Sequence, residues 1–154
     1  NLGTTFSIAI AMRYKGDGES ALIASLSTDD GGNRITTQDN DFHEIRIHGQ
    51  NYTISALSVD GFFMNNGDHV LFIAERDGTD FVYRAFDGSN EYSASTTVNS
   101  DDFTFRDFGE YATTRQALHD ILFVEAWDHI LTEKERAKLY NEFLNAHPIT
   151  KTVN

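Results

Sequence analysis

The sequence predicts an all-β fold, an antiparallel two-sheet jelly-roll sandwich that ends with one short C-terminal α-helix. Three observations lead to this class: strand-like segments recur at short, regular intervals, Asp-Gly or Asn-Gly turns separate several of them, and a single helical pattern lies near the end. About nine short strands with such turns are typical of sandwiches. The 154 residues are expected to form one domain, residues 1–154, taken from a larger protein.

The first predicted strand runs from Thr4 to Tyr14. Large apolar residues occupy its even positions, and the small residues Ser7, Ala9 and Ala11 alternate with them. Residues two apart lie on one face of a strand, so large side chains are expected on one face and small ones on the other. Small residues on the second face indicate that both faces are covered.

The next predicted strands follow at similar intervals. A polar loop over residues 28–33 and the segment that follows it lead to a strand beginning at Phe42. Turns at Asp77-Gly78 and Asp87-Gly88 predict hairpin tips. The strands are expected over Ala21–Ser27, Phe42–His48, Tyr52–Val59, His69–Glu75, Phe81–Phe86, Glu91–Val98 and Leu118–Trp127, with a further segment over Phe103–Phe108.

The helix is the best marked element. Thr132 and Glu135 have the spacing of a capping box, in which each side chain satisfies a free backbone N–H at the helix start. Four apolar residues then recur at helical spacing and predict one buried stripe: Leu139, Tyr140, Phe143 and Leu144.

Composition narrows the function. The formal charge of −12 and the isoelectric point near 4.7 argue against nucleic acid as a partner, because phosphates would be repelled. The chain has no cysteine, so it has neither disulfides nor a zinc–thiolate site. Apolar runs are too short for a membrane span, which needs roughly 20 residues.

Several segments resemble the concanavalin A-like, laminin G and pentraxin superfamily. They occur in order over nearly the whole chain: Phe6-Ser-Ile-Ala-Ile, Gly67-Asp-His-Val-Leu-Phe-Ile, Phe81-Val-Tyr-Arg-Ala-Phe-Asp-Gly, and Phe123-Val-Glu-Ala-Trp-Asp-His-Ile-Leu-Thr-Glu-Lys-Glu. In that group a strand that ends in an aromatic residue and Asp or Asn, followed by Leu-Ser/Thr-x-x-Glu and a short helix, is a recurring close. The resemblance implies the same sandwich.

The resemblance to pentraxins also implies a calcium site. The metal ligands carried over are Asp39 and Asn40 before a strand, and Asn99, Asp101 and Asp102 in a later acidic loop. Calcium takes six to eight oxygen ligands, which two such loops could supply. The alternative is turn chemistry, because Asp and Asn are common in loops that bind no metal.

The same alignment makes a prediction about backbone geometry. The family's paired cysteines correspond to Ala9 and Leu71 here. Their Cα atoms are therefore expected within roughly 7 Å of each other.

The expected function is non-catalytic recognition of a glycan or a cell-surface protein, outside the cell, at a cell surface or on a virion. Sugar binding would use aromatic rings as platforms for pyranose faces, and the candidates near turns or polar neighbours are Tyr52, Tyr83, Tyr92 and Tyr111.

Two alternatives remain open. The chain could instead be a structural domain of a phage tail fibre or bacterial adhesin, forming homo-oligomers within a larger assembly. A glycan-cleaving enzyme is the second alternative, but the carboxylate triplet Glu-x-Asp-x-Glu, which would place its groups on one strand face, does not occur.

Overall fold

A computed structural model describes residues 1–16, 20–24, 32–38, 42–54, 62, 64–105, 107–108, 110–111, 115–116 and 119–147. The described residues form two five-stranded antiparallel sheets, a two-stranded ribbon and one helix near the C-terminus, which confirms the predicted fold class. The strands are β1 Thr5–Arg13, β2 Ser20–Ala24, β3 Arg34–Gln38, β4 Phe42–Ile47, β5 Gln50–Ile54, β6 His69–Asp77, β7 Asp80–Phe86, β8 Glu91–Thr97, β9 Asp107–Phe108, β10 Glu110–Tyr111, β11 Arg115–Gln116 and β12 Asp120–Trp127; the helix is α1, Glu133–Ala146.

The first sheet has the order β12-β1-β6-β7-β8. β1 lies inside it, paired on one side with β6 and on the other with the last strand, β12. The second sheet has the order β5-β4-β3-β2-β9. β10 and β11 pair only with each other within the described ranges.

The main core lies between the two sheets. Because side chains alternate between the two faces of a strand, the first sheet contributes the residues at even positions of β1 and β6 and at odd positions of β7 to this core. The second sheet contributes Ile35, Ile45 and Ile47. Phe6, Ile8 and Phe72 are completely buried there. Removal of this apolar surface from water is the main driving force for pairing the sheets.

The outer face of the first sheet is covered by α1. Ala9 and Ala11 of β1 lie beside Leu71 and Ile73 of β6, and this patch packs against the helix. The helix contributes Leu139 and Phe143, and the loop before it contributes Leu131. Small side chains on β1 let the helix approach closely, so the prediction that both faces of this strand are covered is confirmed.

The start of the helix has the predicted cap. The Thr132 hydroxyl accepts from the Glu135 backbone N–H, and the Glu135 carboxylate accepts from the Thr132 backbone N–H at 2.8 Å. In the predicted stripe, Leu139 and Phe143 are buried. Tyr140 and Leu144 are half-buried and pack on the apolar cluster between the helix and the first sheet.

One part of the sequence interpretation needs correction, and one further prediction stays open. The structure has a strand, β3, at Arg34–Gln38, where the sequence analysis expected only a segment leading to Phe42. The strand was missed because it contains only one large apolar residue. In addition, Leu71 is paired with Ala11 and Ala9 with Ile73, so Ala9 and Leu71 are diagonal neighbours rather than direct partners. They share a sheet and a face, and the separation of their Cα atoms within roughly 7 Å stays a prediction.

The other predicted strands agree with the structure within a few residues wherever it describes them. The Asp77-Gly78 and Asp87-Gly88 hairpins are confirmed, with Gly78 and Gly88 at positive φ, where a side chain would be strained. The predicted strand residues 25–27, 55–59 and 118 lie outside the described part of the chain.

Candidate functional site

The tyrosines predicted as sugar platforms are mostly core residues. Tyr83 is completely buried, its ring is stacked on Phe72 with centroids 5.4 Å apart, and burial raises the pKa of its hydroxyl. Its assignment to a ligand site is therefore wrong. The sequence contained the signal, because Tyr83 has the same parity in β7 as the buried Phe81 and Ala85.

Tyr52 and Tyr92 also point towards the core. Tyr52 is half-buried, and its hydroxyl accepts the backbone N–H of Asn99 at 2.7 Å. Tyr92 packs on the core with its ring 5.3 Å from Phe62. Neither ring forms the exposed platform that was expected. For Tyr111 the structure describes the backbone in β10 and not the side chain.

The acidic loop over residues 99–102 is held by a buried arginine. Arg76 is completely buried and donates to the backbone carbonyls of Asn99 and Asp101, both at 2.7 Å. The side chain of Asn99 donates to the Ile47 carbonyl at 3.1 Å and accepts from the Asp101 backbone N–H at 3.2 Å. Asp101 and Asp102 themselves are exposed. These contacts give Asn99 a structural role in joining the loop to the second sheet.

The other half of the expected calcium site, Asp39 and Asn40, lies outside the described residues. The flanking residues Gln38 and Phe42 pair with each other at one end of the β3–β4 hairpin. Asn33, which donates to the Asp102 carbonyl at 3.3 Å, lies at the other end. The five residues of β3 separate these ends by about 16 Å. Among the described residues, no group of three His, Asp or Glu side chains could hold a metal ion.

The second sheet carries a charged surface on its outer side. Residues that pair across β3, β4 and β5 share a face, and the face opposite the isoleucines contains Arg34, Thr36, Glu44 and Arg46 from β3 and β4, with Asn51 and Thr53 from β5. We call these six residues the polar face. Its signal in the sequence is the alternation of Glu44 and Arg46 with Ile45 and Ile47, which sequence reasoning passed over.

The polar face combines shielded charges with an exposed rim. Arg34 and Arg46 are only 8% and 9% exposed, although they point away from the core. The Arg34 guanidinium is oriented by Glu44, with Nη2 to Oε1 at 2.8 Å and Nε to Oε1 at 3.3 Å. Asn51 and Thr53, the cross-strand neighbours of Arg46 and Glu44, are exposed. The face therefore holds the Arg34 guanidinium in a fixed orientation beside accessible amide and hydroxyl groups.

A second concave surface lies at the edge of the first sheet. It has a volume of about 430 Å³ and is lined by Asp80, Phe81, Val82, Ser95, Thr96 and Thr97 of β7 and β8. Asp80 is the one ionisable residue in this lining, and Phe81 is completely buried. The surface offers hydroxyl groups but neither a cation nor an exposed ring.

Comparisons with known proteins reveal similarity in structure alone. No family model matches the sequence, and no curated protein matches it. Solved structures do match. The CBM40 domain of the Ruminococcus gnavus IT-sialidase, bound to α2,3-sialyllactose, has a TM-score of 0.61 at 8% identity, with 89% of this chain and 82% of that chain covered.

Two further structures belong to larger chains. The binding domain of botulinum neurotoxin DC, in complex with SialylT, has a TM-score of 0.59 at 12% identity and covers 91% of this chain and 36% of that chain. A heptameric SAP-like pentraxin from Limulus polyphemus has a TM-score of 0.50 at 9% identity, with 84% of this chain and 66% of that chain covered. The chain thus has the concanavalin A-like, laminin G-like sandwich fold, which confirms the resemblance found in the sequence.

In the part of the chain that the structure describes, no helix has the length and apolarity that crossing a membrane requires.

Proposed function

We propose that this domain is a non-catalytic carbohydrate-binding module and that the polar face is where it contacts its glycan. The observation that carries the proposal is the placement of Arg34 and Arg46, nearly buried yet on the outer side of a sheet. Glu44 compensates the charge of Arg34 and orients its guanidinium, with Nη2 to Oε1 at 2.8 Å. A sheet face built this way holds polar groups in fixed positions, and recognition of a sugar requires fixed polar groups.

The chemistry of the face suits a sugar that carries a carboxylate. Guanidinium groups bind carboxylates through paired, planar hydrogen bonds, and such charge-assisted bonds are stronger than neutral ones. Asn51 and Thr53 supply donors and acceptors for hydroxyl groups next to the arginines. The chain as a whole is acidic, whereas the polar face carries two arginines and one glutamate, so its local charge differs from that of the rest.

The solved structures support a sialylated glycan as the finer assignment. The CBM40 domain was solved with sialyllactose and the neurotoxin domain with SialylT. Identities of 8% and 12% transfer the fold and not the residues, so the specificity proposed here depends on the arginines of this chain. A ligand of this kind would be met outside the cell, which fits the extracellular location expected from the sequence.

The test is isothermal titration with α2,3-sialyllactose and with lactose. We expect saturable binding of the sialylated sugar and at least about tenfold weaker binding of lactose, because the latter has no carboxylate. Arg46→Ala should weaken sialyllactose binding by a similar factor, and Asn51→Ala by less.

The control is Arg13→Ala, which removes an exposed arginine from β1, outside the polar face. Unchanged binding in Arg13→Ala separates a specific site from general charge. Equal loss in Arg13→Ala and Arg46→Ala would contradict the site. Absence of binding to either sugar, and to a wider glycan set, would contradict the function and favour an assembly domain.

A further inference from the structure

A small groove lies between the edge strand β12 and the helix α1. It is on the outer side of the first sheet, whereas the polar face is on the outer side of the second. Its volume is about 180 Å³. Leu131 and Leu139, both nearly buried, contribute its apolar lining, and Trp127 lines it from the strand.

Trp127 is in this groove because of its register in β12. It pairs with Ser7 of β1, so its side chain lies on the helix side of the sheet, where it packs on the cluster beneath α1. Trp127 is half-buried, so part of the residue remains accessible. Trp127 is the single tryptophan of the chain. A tryptophan face is the most favourable aromatic surface for an organic cation, because its quadrupole attracts positive charge.

The charged residues around the groove are mostly acidic. Glu125 enters from β12, and Glu135 and Glu142 enter from α1, against one lysine, Lys138. Lys138 is 3.5 Å from Glu142, and both side chains are well exposed, so this pair is weak.

One histidine, His129, also contributes to the charge at one edge of the groove. His129 is 3.3 Å from Asp128 and 3.3 Å from Glu135, and these hydrogen bonds raise its pKa. Hydrogen bonds from Thr132 lower the pKa of Glu135, which keeps that carboxylate charged. Counting the groove lining together with His129 and Asp128, four carboxylates lie beside two cations, Lys138 and a protonated His129.

We infer that this groove binds a cationic side chain, lysine or arginine, presented by a protein partner. The aliphatic part of such a side chain fits along Leu131 and Leu139, and its charged end lies between the indole of Trp127 and Glu125. Pockets for drug-sized molecules have roughly 300–1,000 Å³, so a cavity of about 180 Å³ suits one side chain better than an oligosaccharide. The net charge of −12 also favours the approach of a basic partner.

The experiment uses Trp127 as its own reporter. The intrinsic fluorescence of the domain is titrated with N-acetyl-lysinamide and with its uncharged analogue N-acetyl-norleucinamide, at low salt. We expect a saturable change with the lysine derivative, in the millimolar range, and about tenfold weaker binding of the norleucine derivative. Binding should weaken several-fold between 20 and 300 mM salt, because exposed charges are screened.

A matched pair of variants locates the site. Glu125→Gln should weaken binding of N-acetyl-lysinamide about three- to tenfold. Glu133→Gln, which removes an exposed carboxylate of α1 outside the groove lining, should leave it unchanged. Because neither substitution disturbs a buried residue, both variants are expected to fold.

Several results would overturn the inference. In the titrations, these are equal binding of the two amides, or no saturable change up to about 100 mM. In the variants, it is an equal loss of binding in both. Saturation by a neutral methyl glycoside would also contradict the inference, and tighter binding of choline would reassign the groove to a small quaternary amine. The inference does not depend on the glycan proposal, since Arg46→Ala should leave this titration unchanged.

Discussion

The two sheets show opposite uses of their outer faces. On the first sheet, alternation places Ala9, Ala11, Leu71 and Ile73 outward, and a helix covers them. On the second sheet, the same alternation places arginine, glutamate and threonine outward. The first outer face is a second core, and the second is a polar surface with its charges held in place. Under the proposed function, the face covered by the helix adds to stability and the polar face contacts the glycan.

The largest effect is expected from the helix that covers the first sheet. Phe143 is completely buried beneath α1. Phe143→Ala should lower the free energy of unfolding by about 3 to 5 kcal/mol, because it removes buried surface and leaves a cavity. Denaturant unfolding measures this. The exposed neighbour Asn141→Ala is the control, with a change below about 0.5 kcal/mol. Equal effects would mean that the helix does not cover a core.

A smaller effect is expected from one ion pair on each sheet. Glu75 is 3% exposed and contacts Arg84 at 2.7 Å and Arg136 of the helix at 3.2 Å. Glu75→Gln should cost about 3 kcal/mol, since Glu75 is itself buried and joins two half-buried arginines, of which only Arg84 keeps a second carboxylate, Glu91. Glu44→Gln, beside Arg34 on the polar face, should cost less, about 2 kcal/mol, because Glu44 pairs with one arginine where Glu75 pairs with two, and it should also weaken glycan binding.

Denaturant unfolding and the sialyllactose titration, applied to the same two variants, check this contrast. If Glu44→Gln destabilised the domain as much as Glu75→Gln and left binding intact, the polar face would be structural. The proposed division between the sheets would then be wrong.

Acid is expected to weaken the first sheet through two histidines. Burial lowers the pKa of His119, whose Nδ1 accepts from the Lys15 backbone N–H at 3.3 Å, with nearby Asp120 acting in the opposite direction. Burial, and then the charges of His147 and Arg13, lower the pKa of His69, which Asp68 opposes. The unfolded chain therefore takes up protons first as the pH falls.

The sign follows from these lowered pKa values. Stability is full above the unfolded pKa of about 6.5 and decreases below it until the folded-state groups are protonated. The melting temperature should fall by about 2 to 4 °C between pH 7.5 and 5.5 beyond the general acid effect. A double His69→Gln, His119→Gln variant should show a flatter profile. An unchanged slope in that variant would contradict the assignment.

Calcium is expected to have the smallest effect, and its binding stays a prediction of the resemblance. A rise in melting temperature with millimolar calcium over EDTA, removed by Asp39→Ala, would support it. Because Asn99 already joins Ile47 and Asp101 through its side chain, we expect Asn99→Ala to lower the melting temperature equally with and without calcium. A calcium-dependent difference in that variant would restore Asn99 as a ligand.

Local patterns in the sequence were enough for the elements that depend on near neighbours. The capping box at Thr132 and the alternation in β1 needed only a few adjacent residues, and both predictions are confirmed. The strand β3 was missed because its side chains are mostly polar on both faces. The polar face depends on the pairing of β3, β4 and β5, which are not recognisable as neighbours from any one segment. The role of Asn99 depends on a contact with Tyr52, 47 residues away, and no local pattern encodes this contact.

The contact made by Ser7 has a consequence for the order of folding. The buried Ser7 hydroxyl donates to the His129 carbonyl at 2.8 Å, 122 residues away, and accepts from the Leu131 N–H at 3.0 Å, 124 residues away. The inner strand β1 therefore gains its neighbouring strand β12 and its covering helix α1 only after those residues have been synthesised. Long-range pairing of this kind slows folding. During translation, the small-residue side of β1 would stay exposed to chaperones and to other chains until β12 and α1 have emerged from the ribosome.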